Sequence, residues 1–329
     1  MQMLSRGDIV MLFEPEHIDQ VYRSQESNPL RPGFETLEYY REVLKKSTFE
    51  GVYGLTTAQG DKWRDFRTKV NPVLLKLKLV RVYAPGLEEI ASEMVDKVSE
   101  KFIQEARKRI HERGHDIPED DKSIIEKLLA IDEKVAIMMA NEMLLAGIDT
   151  VAFAATNVLY HLATNPEKQD KLREEIRSKE SSKRYLRACV KEALRFWHVV
   201  PSNLRRTDRD HIVGGYHIPP GVDVVAPNEF LSRLEKHYPR PNEYIPERWL
   251  ADKSDPLYYG NAHPMVTLPF GFGIRSCIGR RIAELEIEIL LKQFIDKFSI
   301  TWHGPPIKVV NKLTNGFAKP YGFKFQALK

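Results

Sequence analysis

The chain has 329 residues, of which 42% are hydrophobic, so it can build a large core and is not intrinsically disordered. Its 50 Lys and Arg face 46 Asp and Glu, and this near balance argues against a dedicated nucleic-acid-binding protein. Two cysteines cannot form a disulfide scaffold and favour a reducing compartment. No uninterrupted apolar run reaches the roughly 18 to 20 residues of a membrane-spanning helix, and the first residues resemble neither a signal nor a transit peptide. We therefore expect no transmembrane span, while contact with a membrane surface stays open.

The first half of the chain is predicted to begin with a strand and continue as helices. The short apolar run at 8–13 is typical of a strand. A helix is predicted from Gly60 until Asn71-Pro72 interrupts it, and further helices over 84–114 and from 121 onward.

The most informative predicted helix covers residues 131–164. Its centre is apolar almost all round, so it should cross the middle of the molecule. Asn165-Pro166 ends it, and a charged surface helix over 167–179 and an amphipathic helix over 183–197 follow.

A small β region is predicted after these helices. Residues 212–218 form a hairpin around two glycines, and 222–225 form a strand. A proline-rich irregular segment over 238–270 precedes a last long helix over 277–298. Because no repeat or linker interrupts the chain, residues 1–329 are predicted to form one domain.

The strongest chemical signal is a glycine-rich loop that delivers Cys277 to the start of the last helix. Helix N-termini lower thiol pKa and donate hydrogen bonds, so the sulfur would be a ready metal ligand. Arg275 offers a bidentate partner for a carboxylate. The loop glycines, which leave room for a flat cofactor or a close backbone, are Gly271, Gly273 and Gly279. The alternative interpretation is a buried free cysteine beside a glycine turn.

Residues 270–279 match the pattern F-x-x-G-x-R-x-C-x-G, and the chain therefore resembles the cytochrome P450 family. The resemblance implies a mainly α fold with a small β region, and haem b as the cofactor. It implies that the Cys277 thiolate ligates the iron and that Phe270, Arg275 and Gly279 contribute to cofactor binding.

Glu192 and Arg195 form an E-x-x-R pair on a predicted helix, and Pro246-Glu247-Arg248-Trp249 follows with Trp249 in place of the family's Phe. The resemblance implies a buried structural triad of Glu192, Arg195 and Arg248. Two other pairs with this spacing are interpreted as solvated i,i+3 pairs, namely Glu38/Arg41 and Glu174/Arg177.

Residues 146–150 read A-G-I-D-T in the middle of the long helix, where Gly and Asp are poor choices for a buried interior. By resemblance, the helix loosens at Thr150, which hydrogen-bonds dioxygen, and Asp149 helps to relay protons. The alternative is a small-residue contact between crossing helices.

Trp63 and Arg67 fit the family's W-x-x-x-R, which binds a haem propionate, and Arg205 aligns with another propionate-binding arginine. With Arg275 this makes three basic partners, and two propionates could not be buried without such cations. The segment 199–204 would face substrate. His198 stands where the family usually has Pro.

Basic residues near the cysteine motif resemble the mitochondrial, ferredoxin-dependent class of the family. This likeness implies an acidic ferredoxin as electron donor, a mitochondrial location associated with the inner membrane, and an apolar substrate such as a steroid or xenobiotic. The predicted partner-binding face consists of Arg187, Lys191, Arg280 and Arg281.

The chain is short for this family. Only 82 residues separate Arg67 from Thr150, where full-length relatives place more helices. We therefore expect the helical roof over the substrate pocket to be incomplete in the 68–130 region. Two alternatives follow: a catalytically inactive remnant that still binds haem, or a helical interaction protein that binds none.

Overall fold

The computed structural model describes residues 2–3, 6–25, 28–44, 46, 51–52, 54–75, 124–178, 182–311 and 314–328. The predicted fold class is confirmed, because helices dominate this part of the chain and strands form four small sheets. The helix predicted over 84–114 and most of the 68–130 region lie outside the described residues.

Ten α-helices occur within the described ranges, and they are numbered here in chain order. Their bounds are α1 Pro15–Ser24, α2 Glu35–Tyr39, α3 Gly54–Thr57, α4 Gly60–Leu74, α5 Ile124–Leu129, α6 Glu133–Thr164, α7 Pro166–Arg177, α8 Arg184–Phe196, α9 Asn228–Leu231 and α10 Arg280–Lys297. One π turn at Tyr40–Leu44 continues α2, and 3₁₀ turns lie at Pro246–Trp249, Tyr259–Asn261 and Gly273–Arg275.

The largest sheet has four strands in the order β1-β2-β6-β3, in which β2 runs parallel to β6 and β3 antiparallel to it. Three two-stranded sheets pair β4 with β5, β7 with β10, and β8 with β9. The strand bounds are β1 Gln2–Met3, β2 Arg6–Met11, β3 Asn203–Arg206, β4 His211–Val213, β5 Tyr216–Ile218, β6 Asp223–Ala226, β7 Phe298–Trp302, β8 Val309–Asn311, β9 Asn315–Phe317 and β10 Phe323–Ala327.

Three apolar clusters form the core. The first joins the C-terminal half of α6 to α7, α8 and α10 through side chains such as Val158, Leu172 and Leu291. The second packs α1 on the large sheet, and the third packs α4 on the start of α6. The helix predicted to cross the molecule therefore contributes to two of the three clusters.

Two predicted boundaries are wrong. Pro72 lies inside α4 rather than ending it, and the helix continues to Leu74. Proline ends a helix only where the lost N–H bond and the ring clash are not offset by packing, and here Val70, Val73 and Leu74 are buried. The last helix begins at Arg280, so Cys277 precedes it by three residues instead of opening it.

By length and composition α6 could cross a membrane, so the lack of an uninterrupted apolar run does not exclude a span by itself. Averaged hydropathy tolerates the isolated charges that interrupt its apolar run. Its C-terminal half nevertheless packs against α8 and α10, as a core helix does.

Candidate functional site

Cys277 ends a tight loop that backbone hydrogen bonds close. Its N–H donates to the carbonyl of Phe270 at 2.8 Å, and the N–H of Ser276 donates to the carbonyl of Gly273 at 3.0 Å. Gly271 and Gly273 have φ of +72° and +67°, a region that side chains disfavour. Gly279 differs, since a Cβ there would lie in ordinary contact with the cysteine Sγ at 3.9 Å.

The Cys277 side chain is accessible to solvent, yet neighbouring protein atoms crowd the sulfur. This burial raises the pKa of the thiol above its ordinary value, against the opposing effects of the Gly279 N–H, Arg67, Arg31 and the Arg280 N–H. The expectation of a lowered pKa is therefore wrong for the side chain by itself, because partial desolvation outweighs the donors and cations around it.

Four arginines lie around this loop, and within the described residues three of them donate through their guanidinium groups to carbonyl and amide oxygens rather than to carboxylates. Arg67 donates to the Ser276 carbonyl at 3.0 Å, and Arg205 to those of Leu204 and Phe272 at 2.8 and 3.2 Å. Arg275 donates to the Pro29 carbonyl at 2.8 Å and to Gln59 Oε1 at 2.9 Å, and its guanidinium stacks 3.8 Å from the Trp63 ring centroid.

The fourth guanidinium belongs to Arg31. Burial, followed by the mutual repulsion of the cations, lowers the pKa of Arg275 to about 8. Burial also lowers the pKa of Arg67 to about 10, with Arg31 acting in the same direction and Cys277 opposing it. The Nε atoms of Arg31 and Arg67 are buried and have no hydrogen-bond partner among the residues that the structure describes. A largely buried cluster of cations that pairs with no described carboxylate favours an anionic ligand, and the two propionates of haem supply such a pair of carboxylates.

The residues present therefore fit a haem group. A thiol that can ligate iron and cations that can hold carboxylates lie around the same loop. Phe270 packs against the first apolar cluster, as does Val151 of α6, so the cysteine loop and the middle of α6 border one core.

The predicted triad residues lie in direct contact. Glu192, Arg195 and Arg248 have side chains that are fully buried, and both arginines approach the Glu192 carboxylate at 2.9 Å. Arg195 also donates to the Ser232 and Pro241 carbonyls at 2.8 and 3.0 Å. The network therefore ties α8 to the irregular segment that leads to the cysteine loop.

Trp249 adds a donor that a Phe could not supply. Its indole Nε1 donates to Glu192 Oε2 at 2.9 Å, and its ring stacks on Tyr259 at a centroid distance of 4.9 Å. The carboxylate at the centre of the triad thus accepts from three side chains.

Thr150 and Asp149 lie where α6 continues without a break, so the predicted loosening of the helix is not observed. The Thr150 hydroxyl donates to the Ala146 carbonyl at 2.5 Å, which satisfies both groups within the helix. Asp149 is exposed. A Cβ on Gly147 would meet nothing within 4 Å, so no described helix crosses α6 closely at that glycine.

The predicted partner-binding face is exposed. Arg187 pairs with Glu288 at 2.9 Å, Arg280 pairs with Glu284 at 2.9 Å, and Lys191 lies 5.6 Å from the centre of the Trp249 ring. A shallow cavity of about 180 Å³ lies between α8 and the Pro246–Trp249 turn. Its lining residues are Arg184, Arg187, Ala188, Lys191, Trp249 and Leu250.

Sequence reasoning missed several buried polar residues. Arg41 is buried and pairs with Glu142 of α6 at 2.5 Å, so the interpretation of Glu38/Arg41 as a solvated pair is wrong. Arg177 pairs with Asp296 at 2.9 Å rather than with Glu174. No motif marks Arg31 or Gln59. The sequence offers only that Arg31 lies between two prolines and that Gln59 precedes a glycine.

Comparison with known proteins places this geometry in a family. The cytochrome P450 family profile matches residues 98–325. The chain is similar to the probable mitochondrial cytochrome P450 12b2 of Drosophila melanogaster, at 31% identity over 91% of this chain and 76% of that protein. It is also similar to cytochrome P450 CYP12A2 of Musca domestica, at 30% identity over 98% of this chain and 82% of the relative.

A crystal structure of a cytochrome P450 (CYP102L1) superimposes with a TM-score of 0.77 at 18% identity, over 97% of this chain and 92% of that one, which shows the same fold. The profile match spans well over half of the chain, and it includes the loop that carries Cys277. The chain therefore belongs to the cytochrome P450 family of haem monooxygenases.

Proposed function

We propose that this chain binds haem b through the Cys277 thiolate and inserts one oxygen atom of O₂ into an apolar substrate, with electrons from an acidic ferredoxin. The observation that carries the proposal is the cysteine loop among four arginines, three of them buried, that pair with no carboxylate within the described residues. When bound, the haem supplies the redox chemistry of oxygen activation, and the protein supplies ligation, orientation and proton transfer.

In this proposal, Arg67, Arg205 and Arg275 hold the propionates, and Trp63 fixes Arg275 by stacking beneath its guanidinium. Phe270 and Gly279 shape the loop on either side of the ligand. Thr150 and Asp149 would hold and move protons on the α6 side, and for this the Thr150 hydroxyl must exchange its bond to Ala146 for one to a ligand.

An apolar substrate, steroid-like or xenobiotic, is supported by the side chains beside Thr150. Leu144, Leu145 and Ile148 on the same stretch of α6 are 63%, 58% and 64% exposed, so this stretch offers apolar surface and few charges. Burial of such surface favours lipophilic ligands over polar ones.

A ferredoxin donor is supported by the exposed cations on α8 and at the start of α10, which complement an acidic surface. The 12b2 relative given above is named as mitochondrial, and this supports a mitochondrial location for this chain. Inner-membrane contact is part of the same proposal and rests on the resemblance to the ferredoxin-dependent class. We assign the chain to a single domain over 1–329, with no role in nucleic-acid binding.

A second candidate function is a catalytically inactive protein that still binds haem. Its support is the length of the chain: the alignment to the 12b2 relative extends over 411 positions, whereas 91% of this chain is only about 299 residues. About 110 positions of the relative therefore align with gaps in this chain. An incomplete pocket would admit water, and solvent exclusion is what suppresses unproductive oxygen reduction.

Reduction of the purified, haem-loaded chain under carbon monoxide tests the proposal. We expect the long-wavelength difference band that thiolate ligation produces, its loss in Cys277→Ser, and its retention in Cys189→Ala, which changes the other cysteine. Absence of the band in the unsubstituted chain would overturn haem-thiolate binding and favour an interaction protein.

Electron consumption separates the two candidate functions. With ferredoxin and its reductase, an active enzyme consumes electrons faster when an apolar substrate is added. A thiolate band without substrate-dependent consumption would favour the inactive haem-binding protein.

A further inference from the structure

Arg31 lies in an irregular segment before α2, and no family motif quoted above includes it. It acts electrostatically on the cysteine-loop arginines, because its charge contributes to the lowered pKa of Arg67, Arg205 and Arg275. Cys277 in turn acts on Arg31. The fourth cation therefore lies within electrostatic range of the other three and of the sulfur.

Hydrogen bonds hold the backbone of Arg31 and of the two residues before it. Gln59 accepts from the Arg31 N–H and donates to its carbonyl, each at 3.0 Å. The Pro29 carbonyl accepts from Arg275 at 2.8 Å, and the Leu30 carbonyl accepts from the Arg206 N–H at 3.0 Å. Three consecutive peptide groups are thus fixed, which orients the Arg31 side chain without any helix or long strand.

The same Gln59 side chain accepts from Arg275 at 2.9 Å. One amide therefore fixes both the backbone of Arg31 and the guanidinium of a cysteine-loop arginine. This shared partner links Arg31 to the proposed propionate site through described contacts.

The Arg31 guanidinium is not committed to a carboxylate in the described structure. Its Nε is buried without a partner. The carboxylate with a resolved effect on it is Glu142, which already accepts from Arg41 at 2.5 Å and from Thr56. Arg31 is thus a half-buried, oriented cation whose buried Nε is an unfilled donor, which is what an incoming anion requires.

We infer that Arg31, positioned by Gln59, is a fourth cation that holds the haem propionates. This inference rests on the proposed haem-thiolate function. A cation near the iron also favours the reduced state, so loss of Arg31 should lower the ferric/ferrous midpoint potential as well as haem retention.

The test compares Arg31→Gln with the unsubstituted chain, each loaded with haem b or with its dimethyl ester, whose side chains carry no charge. The readout is the rate at which apomyoglobin removes the haem. The matched control is Arg64→Gln, which changes an exposed arginine of α4 that pairs with Asp61 at 3.0 Å.

Arg31→Gln should speed the loss of haem b roughly tenfold, as expected for one hydrogen bond to a charged group, and leave the loss of the ester unchanged. Arg31→Lys keeps the charge but lacks the two-pronged guanidinium, so its rate of haem b loss should lie between those of Arg31→Gln and the unsubstituted chain. Arg64→Gln should lose haem at the unsubstituted rate. The midpoint potential of Arg31→Gln should be lower with haem b.

Equal acceleration for haem b and the ester would mean that Arg31 only supports the loop, and it would overturn the inference. Equal rates for Arg31→Gln and the unsubstituted chain would also overturn it, while an intact thiolate band would leave the proposed function standing. Loss of that band in the unsubstituted chain would overturn both.

Discussion

At the scale of single residues, the cysteine loop depends on backbone conformations that two glycines provide and a third does not need. Gly273 has φ of +67°, and a Cβ there would meet nothing within 4 Å, so only the dihedral angle resists a side chain. Gly279 has φ of −81°, which any residue adopts. The motif contains both glycines, but their physical reasons differ.

Gly273→Ala should destabilise the loop by about 1 to 2 kcal/mol, the cost of a left-handed conformation for a residue with a Cβ. Gly279→Ala, the matched control, should leave the free energy of unfolding of the haem-free chain nearly unchanged. Urea unfolding of both variants checks this, and similar losses in the two would contradict the assignment of strain to position 273.

Two buried histidines should make stability depend on pH. Burial, then Arg195, lowers the pKa of His161 and of His198 to about 3 each, and both ring nitrogens of His198 lack partners within the described structure. The unfolded chain binds these protons near pH 6.5 and the folded chain does not. The free energy of unfolding is therefore at its full value above pH 6.5 and decreases as the pH falls toward 3. At pH 5 the decrease is roughly 2 kcal/mol for each histidine.

His161→Phe would keep the ring that stacks on Tyr244 at 4.5 Å but could not titrate. We expect this variant to lose less stability between pH 7 and pH 5 than the unsubstituted chain, measured by urea midpoints. His303→Gln, at an exposed position, should leave the pH dependence unchanged. An unaltered slope in His161→Phe would show that His161 does not carry this effect.

At the scale of elements, α8 and the Pro246–Trp249 turn are joined by one buried carboxylate. Glu192 accepts from Arg195, Arg248 and Trp249 at 2.9 to 3.0 Å. Because both arginines have fully buried side chains, their charges depend on that single anion. The irregular segment, which contains only 3₁₀ turns among its described residues, is therefore held against α8 by this network.

Glu192→Gln should cost roughly 3 to 5 kcal/mol, because it leaves two buried guanidinium groups without a counter-charge. Trp249→Phe removes one hydrogen bond and should cost only about 1 kcal/mol. Thermal unfolding of both variants checks the order, with Glu174→Gln on the exposed face of α7 as control. A Glu192→Gln loss no larger than that of the control would contradict a structural role for the triad.

At the scale of the whole molecule, the charge is nearly balanced, so any electrostatic partner must meet a local surface. The exposed cations of α8 and of the start of α10 form such a surface, although Glu288 and Glu284 offset two of them. Steering by this surface should accelerate encounter with an acidic ferredoxin more than it strengthens the complex.

Lys191→Glu should slow reduction by ferredoxin at low ionic strength by about tenfold or less, and the difference from the unsubstituted chain should shrink at high salt. Stopped-flow reduction under carbon monoxide measures the rate. Lys324→Glu, on β10, is the control and should reduce at the unsubstituted rate. A defect that persists unchanged at high salt would point to damaged folding instead of lost steering.

The sequence by itself determined the features that depend on local chemistry. Amphipathic and apolar periodicity located α6, α7 and α8 to within a few residues, and Gly214-Gly215 located the β4–β5 hairpin, where both glycines have positive φ. The order of the cysteine, E-x-x-R and A-G-x-D-T motifs predicted the family that the profile match confirms. These features can be predicted from the sequence because each depends on residues that are close together in the chain.

Only the tertiary structure decided which distant polar groups meet. Arg41 pairs with Glu142, 101 positions away, and Gln59 bonds both the backbone of Arg31 and the side chain of Arg275, which is 216 positions from Gln59. The tertiary structure also decided that burial raises the pKa of the Cys277 thiol more than nearby donors and cations lower it. It decided as well that Pro72 is tolerated inside α4 and that the Thr150 hydroxyl donates to a carbonyl of its own helix. Each outcome depends on desolvation and packing by segments remote in sequence, which local patterns do not encode.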